Sequence, residues 1–503
     1  MLIRERFSIK NLHEGSSKRA EKWFKNHDPR HNLIWVIPAE GNAMITFSLL
    51  DYLIIIFYVI LVIGIGFITL PRSTNMESFL LMGRKLTLPL FIGSLVSTWY
   101  GGIIGVGEIS YSSGLYNWLT QGFFWYLSYI VFALFLAKRL QTSHQYTLPD
   151  QLEIFYGKTA RKIGLILNFF NVVPIAYIIS LGILIQLSFG IPLKMAIVLG
   201  GFISVIYTFF GGFSADVYTD FLQFIFMCVG VALMIPFAFF KLGGWSYLVT
   251  HVPASHFSLT GGLPLTEILI WGFIAMTTLV DPNFYQRCYA ASTPEVAKKG
   301  ILLSVLFWML FDICTTFAGI YARAALPGID PKHSFPLLAE LILPSGIKGI
   351  YFTAMLATIM STIDSYCFVA ATTLSRDLYQ KTFFPQASEK NVIWVTRIGI
   401  ILVATLAVVL GFGLYDSIKK VWKLFGSMMG STLLIPLMFG FWYRGPKKKE
   451  AGVASMIGGF LGGALFYIGD KFFKIPLCQS IEPLYPGLTV SLLTFMIFNR
   501  RKS

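Results

Sequence analysis

From Met44 onward the chain is a succession of apolar stretches of about 20 residues each, the length an α-helix needs to cross a hydrocarbon core about 30 Å thick. Thirteen such stretches are counted, at 48–70, 88–113, 117–137, 163–186, 193–210, 219–240, 264–285, 301–322, 349–372, 392–412, 422–443, 451–470 and 483–499. In lipid every backbone N–H and C=O must find its partner within the protein, so this pattern predicts an all-α membrane bundle. The charged fraction of 13% agrees, against about 25% in soluble domains. A disordered chain, a secreted disulfide scaffold and a nucleic-acid binder are excluded, although 40 Lys+Arg outnumber 25 Asp+Glu. In a membrane protein such an excess reports topology and contact with lipid headgroups. The five cysteines are scattered and form no CxxC, which indicates neither a disulfide framework nor a zinc site.

Residues 1–43 differ in kind, with eight basic and five acidic residues and no apolar run. They are expected to be a polar N-terminal extension ahead of a membrane domain spanning 44–503. Alternate loops (71–87, 138–162, 286–300, 374–396, 442–450 and 500–503) carry 21 Lys/Arg, and the opposite set carries 10. The positive-inside rule then predicts a cytoplasmic C-terminus and, with an odd number of spans, residue 44 outside. A basic leader on the outside conflicts with that rule, so translation is expected to begin at Met44 or the leader to be dispensable. The Lys447-Lys448-Lys449 run reads as a topology determinant first and a lipid contact second. Gly458, Gly459, Gly462 and Gly463 give overlapping GxxxG spacings, which read as helix packing and occasionally as a dimer face, so the oligomeric state stays open.

Two spans are interrupted. The second carries Ser97-Thr98-Trp99-Tyr100-Gly101-Gly102 in its middle, and the seventh carries Gly272 and then Asp281-Pro282. Broken helices five spans apart point to an inverted repeat, spans 2–6 and 7–11, with the unwound turns lining a cavity at the membrane midplane.

Ionisable residues at membrane depth are costly and functional by default. Glu108, Asp220, Asp312, Asp364 and Arg397 are the candidates, whereas all seven histidines fall in loops or the leader. That distribution argues against a membrane enzyme needing a histidine base or metal cluster in the bilayer. In the ninth span Thr358, Ser361, Thr362 and Ser365 share one helix face, with Asp364 beside them. Hard cations prefer such oxygen ligands. The competing reading is that these hydroxyls merely bond back to the helix carbonyls.

The stretch Gly211-Gly212-Phe213-Ser214-Ala215-Asp216-Val217-Tyr218-Thr219-Asp220-Phe221-Leu222-Gln223 reads as one helix ending at the double glycine and another beginning at Thr219-Asp220, with Asp220 as its cap. It fits GGxxAxxxTDxxQ and resembles the sodium:solute symporter family. Supporting matches are Gly83-Arg84, Tyr111-Ser112-Ser113-Gly114, Gln286-Arg287 and Met360-Ser361-Thr362, in order over about residues 44–440. The resemblance implies a LeuT-type fold and alternating access driven by sodium. It implies a sodium site from the hydroxyls of Ser361 and Thr362 with the carbonyls of Leu95, Thr98 and Thr358. A second site, found in some members, maps to Asp220, Ser361, Asp364 and Ser365.

The substrate pocket is expected between the two broken helices, from Trp99, Tyr100, Gly102, Gln121, Thr277 and Asp312. Gly102 and Trp308 stand where the sodium/galactose branch places polar sugar contacts, which argues against a sugar. Asp312 favours a cationic or hydroxylated solute, or else serves a neighbouring helix as a structural partner. The expectation is a multi-pass inner-membrane symporter importing a small polar organic solute with sodium. A proton-coupled version using Asp220 and Asp364, and a transporter-like sensor, are the alternatives.

Overall fold

The computed structural model describes residues 44–69, 75–415 and 417–500. The leader 1–43, and with it the expectation about its origin, lies outside the described residues. The bundle is built from α1 (Leu49–Ile68), α2 (Leu88–Trp99), α3 (Ile103–Ser113), α4 (Phe124–Phe135), α5 (Leu148–Asn171), α6 (Ile175–Phe189) and α7 (Leu193–Leu242). There follow α8 (Leu265–Ala275), α9 (Pro282–Ala290), α10 (Pro294–Ala325), α11 (Ile347–Thr372), α12 (Glu389–Leu414), α13 (Ile418–Met429), α14 (Ile435–Trp442), α15 (Lys449–Lys471) and α16 (Leu484–Arg500). Shorter helices join some of them. The described residues contain no strand, only one isolated parallel bridge between Leu86 and Ala291. That bridge ties the start of α2 to the end of α9.

Ten helical segments among the described residues are long and apolar enough to cross a membrane, or eleven with α2 and α3 taken as one bent span. The correspondence with thirteen expected spans is therefore not one to one. α7 runs for 50 residues through the fifth and sixth expected spans, and at 1.5 Å per residue it is about 75 Å long, too long for one crossing. It bends at Gly212, whose φ of 61° is a left-handed value that costs glycine nothing. α16, with 17 residues, falls short of a standard span.

Burial sorts the helices into layers. In α1 only 22% of the apolar window is buried, and Leu53, Ile56, Phe57 and Ile60 face outward, as lipid contact requires. In α11 the buried share is 94%, which makes it the central helix. The N-termini of these two are locked together. Ser48 and Asp51 form a capping box at α1, and Asp51 Oδ1 also accepts the backbone N–H groups of Gly346 and Gly349 at 2.8 and 2.7 Å.

The first break separates α2 from α3 with a 58° bend at Tyr100–Gly102. Close approach explains both glycines: a Cβ on Gly101 would lie 2.2 Å from Thr362 Oγ1, and one on Gly102 would lie 1.6 Å from the Trp422 ring. The second break falls at a tight turn Met276–Val280 followed by extended Asp281, at the expected Asp281-Pro282, while Gly272 sits inside α8. Asp281 caps α9 by accepting from the Asn283 N–H at 2.8 Å, and Pro282 takes the first helical position, where no N–H is needed.

The glycine stripe of α15 is consumed inside the chain. A Cβ on Gly459 would lie 1.8 Å from the Ser431 carbonyl oxygen, and those on Gly458 and Gly462 would press on Thr494 and Val490 of α16.

Candidate transport site

The last turn of α2 ends at Trp99, so its final carbonyls have no helical partner. α11 supplies one. Ser361 Oγ donates to the Ser97 carbonyl at 3.0 Å and Thr362 Oγ1 approaches the same oxygen at 3.4 Å. Both hydroxyls also reach the Thr358 carbonyl, at 3.1 and 3.2 Å. Four oxygens from two helices thus converge beside the first break. Ser97, which the sequence analysis did not single out, contributes the α2 carbonyl and lies between Leu95 and Thr98. Leu95 is buried on the same turn, and the Thr98 hydroxyl turns toward a different cluster.

That second cluster surrounds Arg287, on α9, which is fully buried. Its Nε donates to Ser94 Oγ at 3.0 Å, and Nη2 donates to Asp220 Oδ2 at 3.1 Å, to Ser365 Oγ at 2.9 Å and to Thr98 Oγ1. Asp216 Oδ2 stands 3.7 Å from Nη2, and both Asp216 oxygens accept from the Ser365 hydroxyl at 3.0 Å. Ser94 Oγ donates to Asp220 Oδ2 at 2.6 Å. One guanidinium therefore joins α2, α7, α9 and α11. Asp220 does not start a helix: the second half of α7 resumes directly after Gly212, and Asp220 lies two turns in. Arg287 had been counted as a loop charge, because an arginine closing an apolar span reads as a boundary.

The four residues of the expected second site do not converge on one point. Asp220 and Ser365 meet at Arg287, and Ser361 faces the Ser97 carbonyl. Asp364 is hydrogen-bonded by the Tyr207 hydroxyl of α7, which also accepts from Gln223 Nε2 at 3.3 Å. The other oxygen of Asp364 is buried without a hydrogen-bond donor.

Trp99, Tyr100, Gly102, Gln121, Thr277 and Asp312 all line one cavity of about 160 Å³ between the two breaks. Its walls also include Trp125, Tyr129, Asp281, Trp308, Tyr366 and Trp422, none of them named from the sequence except Asp281 and Trp308. Asp312, on α10, accepts from Tyr100 Oη at 2.6 Å and from Tyr126 Oη. Glu108 and Arg397 lie elsewhere. Glu108 accepts from Ser417 Oγ at 2.6 Å at the start of α13, and Arg397 Nη2 donates to the Phe210 carbonyl at 3.2 Å. No group of His, Cys, Asp and Glu among the described residues is arranged to hold a metal ion.

A multi-pass helical bundle with two broken helices around a cavity is the architecture of a secondary transporter. Residues 79–459 match the model of the sodium:solute symporter family, and the chain belongs to that family. It is a membrane transporter and not an enzyme. It is 27% identical over 461 residues to the high-affinity proline transporter of Bacillus subtilis, covering 86% of this chain and 93% of that one. With the sodium/proline symporter of Staphylococcus aureus it shares 26% identity over 487 residues, 89% of this chain and 92% of the other. Among solved structures, a substrate-bound, outward-open sodium-coupled sialic acid symporter superposes with a TM-score of 0.76 at 16% identity, covering 91% of this chain and 99% of the other. A nucleobase-cation-symport transporter bound to bromovinylhydantoin gives 0.52 at 11% identity, over 85% and 96%. These last two show the fold, which is LeuT-type.

Proposed function

We propose that the protein imports a small polar organic solute across the plasma membrane together with sodium, by alternating access. The observation that carries this reading is the meeting of the Ser97 and Thr358 carbonyls with the Ser361 and Thr362 hydroxyls beside the first break. Four neutral oxygens suit a weakly bound, hard monovalent cation that must also leave. An ion there bridges α2 to α11 and so steadies the turn whose next residues, Trp99 and Tyr100, line the cavity. Relatives named as sodium/proline symporters support the choice of ion. The loop charges support a cytoplasmic C-terminus, and removing buried Arg287 leaves the excess on the same side.

The test needs no knowledge of the solute. Purified protein is melted in sodium chloride and in equimolar potassium chloride. A ligand at one hundred times its dissociation constant stabilises by about 2.7 kcal/mol, so sodium raises the melting temperature by several degrees. Ser361→Ala and Thr362→Ala each remove most of that rise while melting normally in potassium. Equal melting of the native protein in both salts defeats the reading.

One observation favours proton coupling as the second reading. Asp364 is a buried carboxyl hydrogen-bonded only by Tyr207 and Gln223's network, and is able to hold a proton. Uptake that follows a pH gradient and ignores sodium would select it.

A further inference from the structure

The cavity between the breaks has one sign of charge. Ten of its 24 lining residues are aromatic, two are aspartates, and none is Lys, Arg or His. The two acids differ in how they are compensated. Asp281 sits at the N-terminus of α9, where the helix dipole and the Asn283 N–H favour a negative group, and Tyr366 Oη donates to it at 3.2 Å. Asp312 lies in the middle of α10 and receives only the hydroxyls of Tyr100 and Tyr126. A buried carboxylate without a cation is costly, and two phenol donors offset that cost only in part.

The surroundings of Asp312 are aromatic, and ten rings line the same cavity. Trp308 is one helical turn before it on the same face of α10, and the Trp308 and Tyr129 rings lie 4.2 Å apart, with Trp99 packed edge-on against Tyr129 at 6.1 Å. Aromatic faces attract ammonium groups through the ring quadrupole, most strongly where water is excluded. Three donors on cavity-lining residues remain unused: Trp308 Nε1, on a residue 1% exposed, Trp271 Nε1 and Gln121 Nε2. They call for an oxygen on the ligand. The volume of about 160 Å³ compares with the ~150 Å³ that admits benzene, so the ligand is small.

We infer that the transported solute is a small organic cation, an alkylammonium carrying an oxygen acceptor, whose charge is met by Asp312 and the aromatic lining of the cavity. This rests on the symporter reading above. A zwitterion such as proline brings a carboxylate into a wall with two acids and no base. An uncharged solute leaves Asp312 without a counter-ion.

The test uses the full-length purified protein in sodium chloride, with tryptophan fluorescence reporting binding. The probes are choline, its uncharged carbon isostere dimethylbutanol, and L-proline. Choline binds, and the isostere binds at least about tenfold more weakly, because shape is kept and charge is lost. Asp312→Asn weakens choline at least about tenfold, and Asp312→Glu retains most of the affinity. The sodium-induced rise in melting temperature, present in both variants, shows that they are folded. Equal binding of choline and the isostere overturns the inference. So does binding of proline alone, or of none of the three, in protein that still responds to sodium, and the symporter reading survives those outcomes. Loss of the sodium response in the native protein instead defeats the symporter reading, and choline binding then still decides the charge of the ligand.

Discussion

Arg287→Leu lowers stability by about 3–5 kcal/mol and abolishes solute uptake, the largest single-residue effect expected outside the cavity. The substitution removes the guanidinium that Asp216 and Asp220 share and leaves two carboxyls facing each other in the centre of the bundle, with the hydroxyl oxygens of Ser94, Thr98 and Ser365 deprived of its N–H donors. Breaking a buried pair from one side is far costlier than replacing all of it, because the remaining charge has no partner. The triple variant Arg287→Leu, Asp216→Asn, Asp220→Asn therefore recovers most of the lost melting temperature. Arg287→Lys recovers little, since an ammonium lacks the fork that reaches Ser94 from Nε while Nη2 holds Asp220 and Ser365. Melting curves of the three variants check this. A single Arg287→Leu protein that melts with the native one would remove the cluster's role.

Gly101→Ala eliminates the sodium-dependent rise in melting temperature and lowers uptake at least about tenfold. A Cβ at that position would lie 2.2 Å from Thr362 Oγ1 and 2.3 Å from Thr362 Cβ. Overpacking of this kind costs about 1–3 kcal/mol, and here the strain falls where the first break meets the Ser361-Thr362 hydroxyls. Gly64→Ala, where nothing lies within 4 Å of the new atom, melts and responds to sodium like the native protein. If Gly101→Ala keeps the full response, contact between the break and α11 does not set the ion's affinity.

What could be read before the structure was local. The membrane class follows from runs of apolar residues, and the first break from two adjacent glycines within such a run. The hydroxyl face of Ser361, Thr362 and Ser365 follows from helical spacing alone. Of the six cavity residues named in advance, Trp99, Tyr100, Gly102 and Thr277 sit at the breaks, where unwound backbone must line a space, whereas Gln121 and Asp312 face the cavity from helices. The misses are pairings across long stretches of chain. Arg287 and Asp220 are 67 residues apart, Arg287 and Ser94 are 193 apart, and nothing in either neighbourhood announces the other. Asp216 was passed over because it fills an unspecified place in GGxxAxxxTDxxQ. Of the two features read as interrupting the seventh span, Asp281-Pro282 marks the break and Gly272 lies inside α8, because a glycine inside a helix and a glycine at a break look alike in sequence. Asp364 was grouped with Ser365 by adjacency, but neighbours on a helix point about 100° apart, and the two side chains find different partners.

That divergence has a mechanical consequence. Tyr207, before the bend at Gly212, is held by Asp364, and Asp216, just after it, is held by Ser365. Two consecutive residues of α11 thus pin the two arms of one crank, and turning that crank about Gly212 in either sense tears out one of the pins. A glycine with free torsions is made stiff by what it lies against. The α7–α11 pair is a strut rather than a hinge.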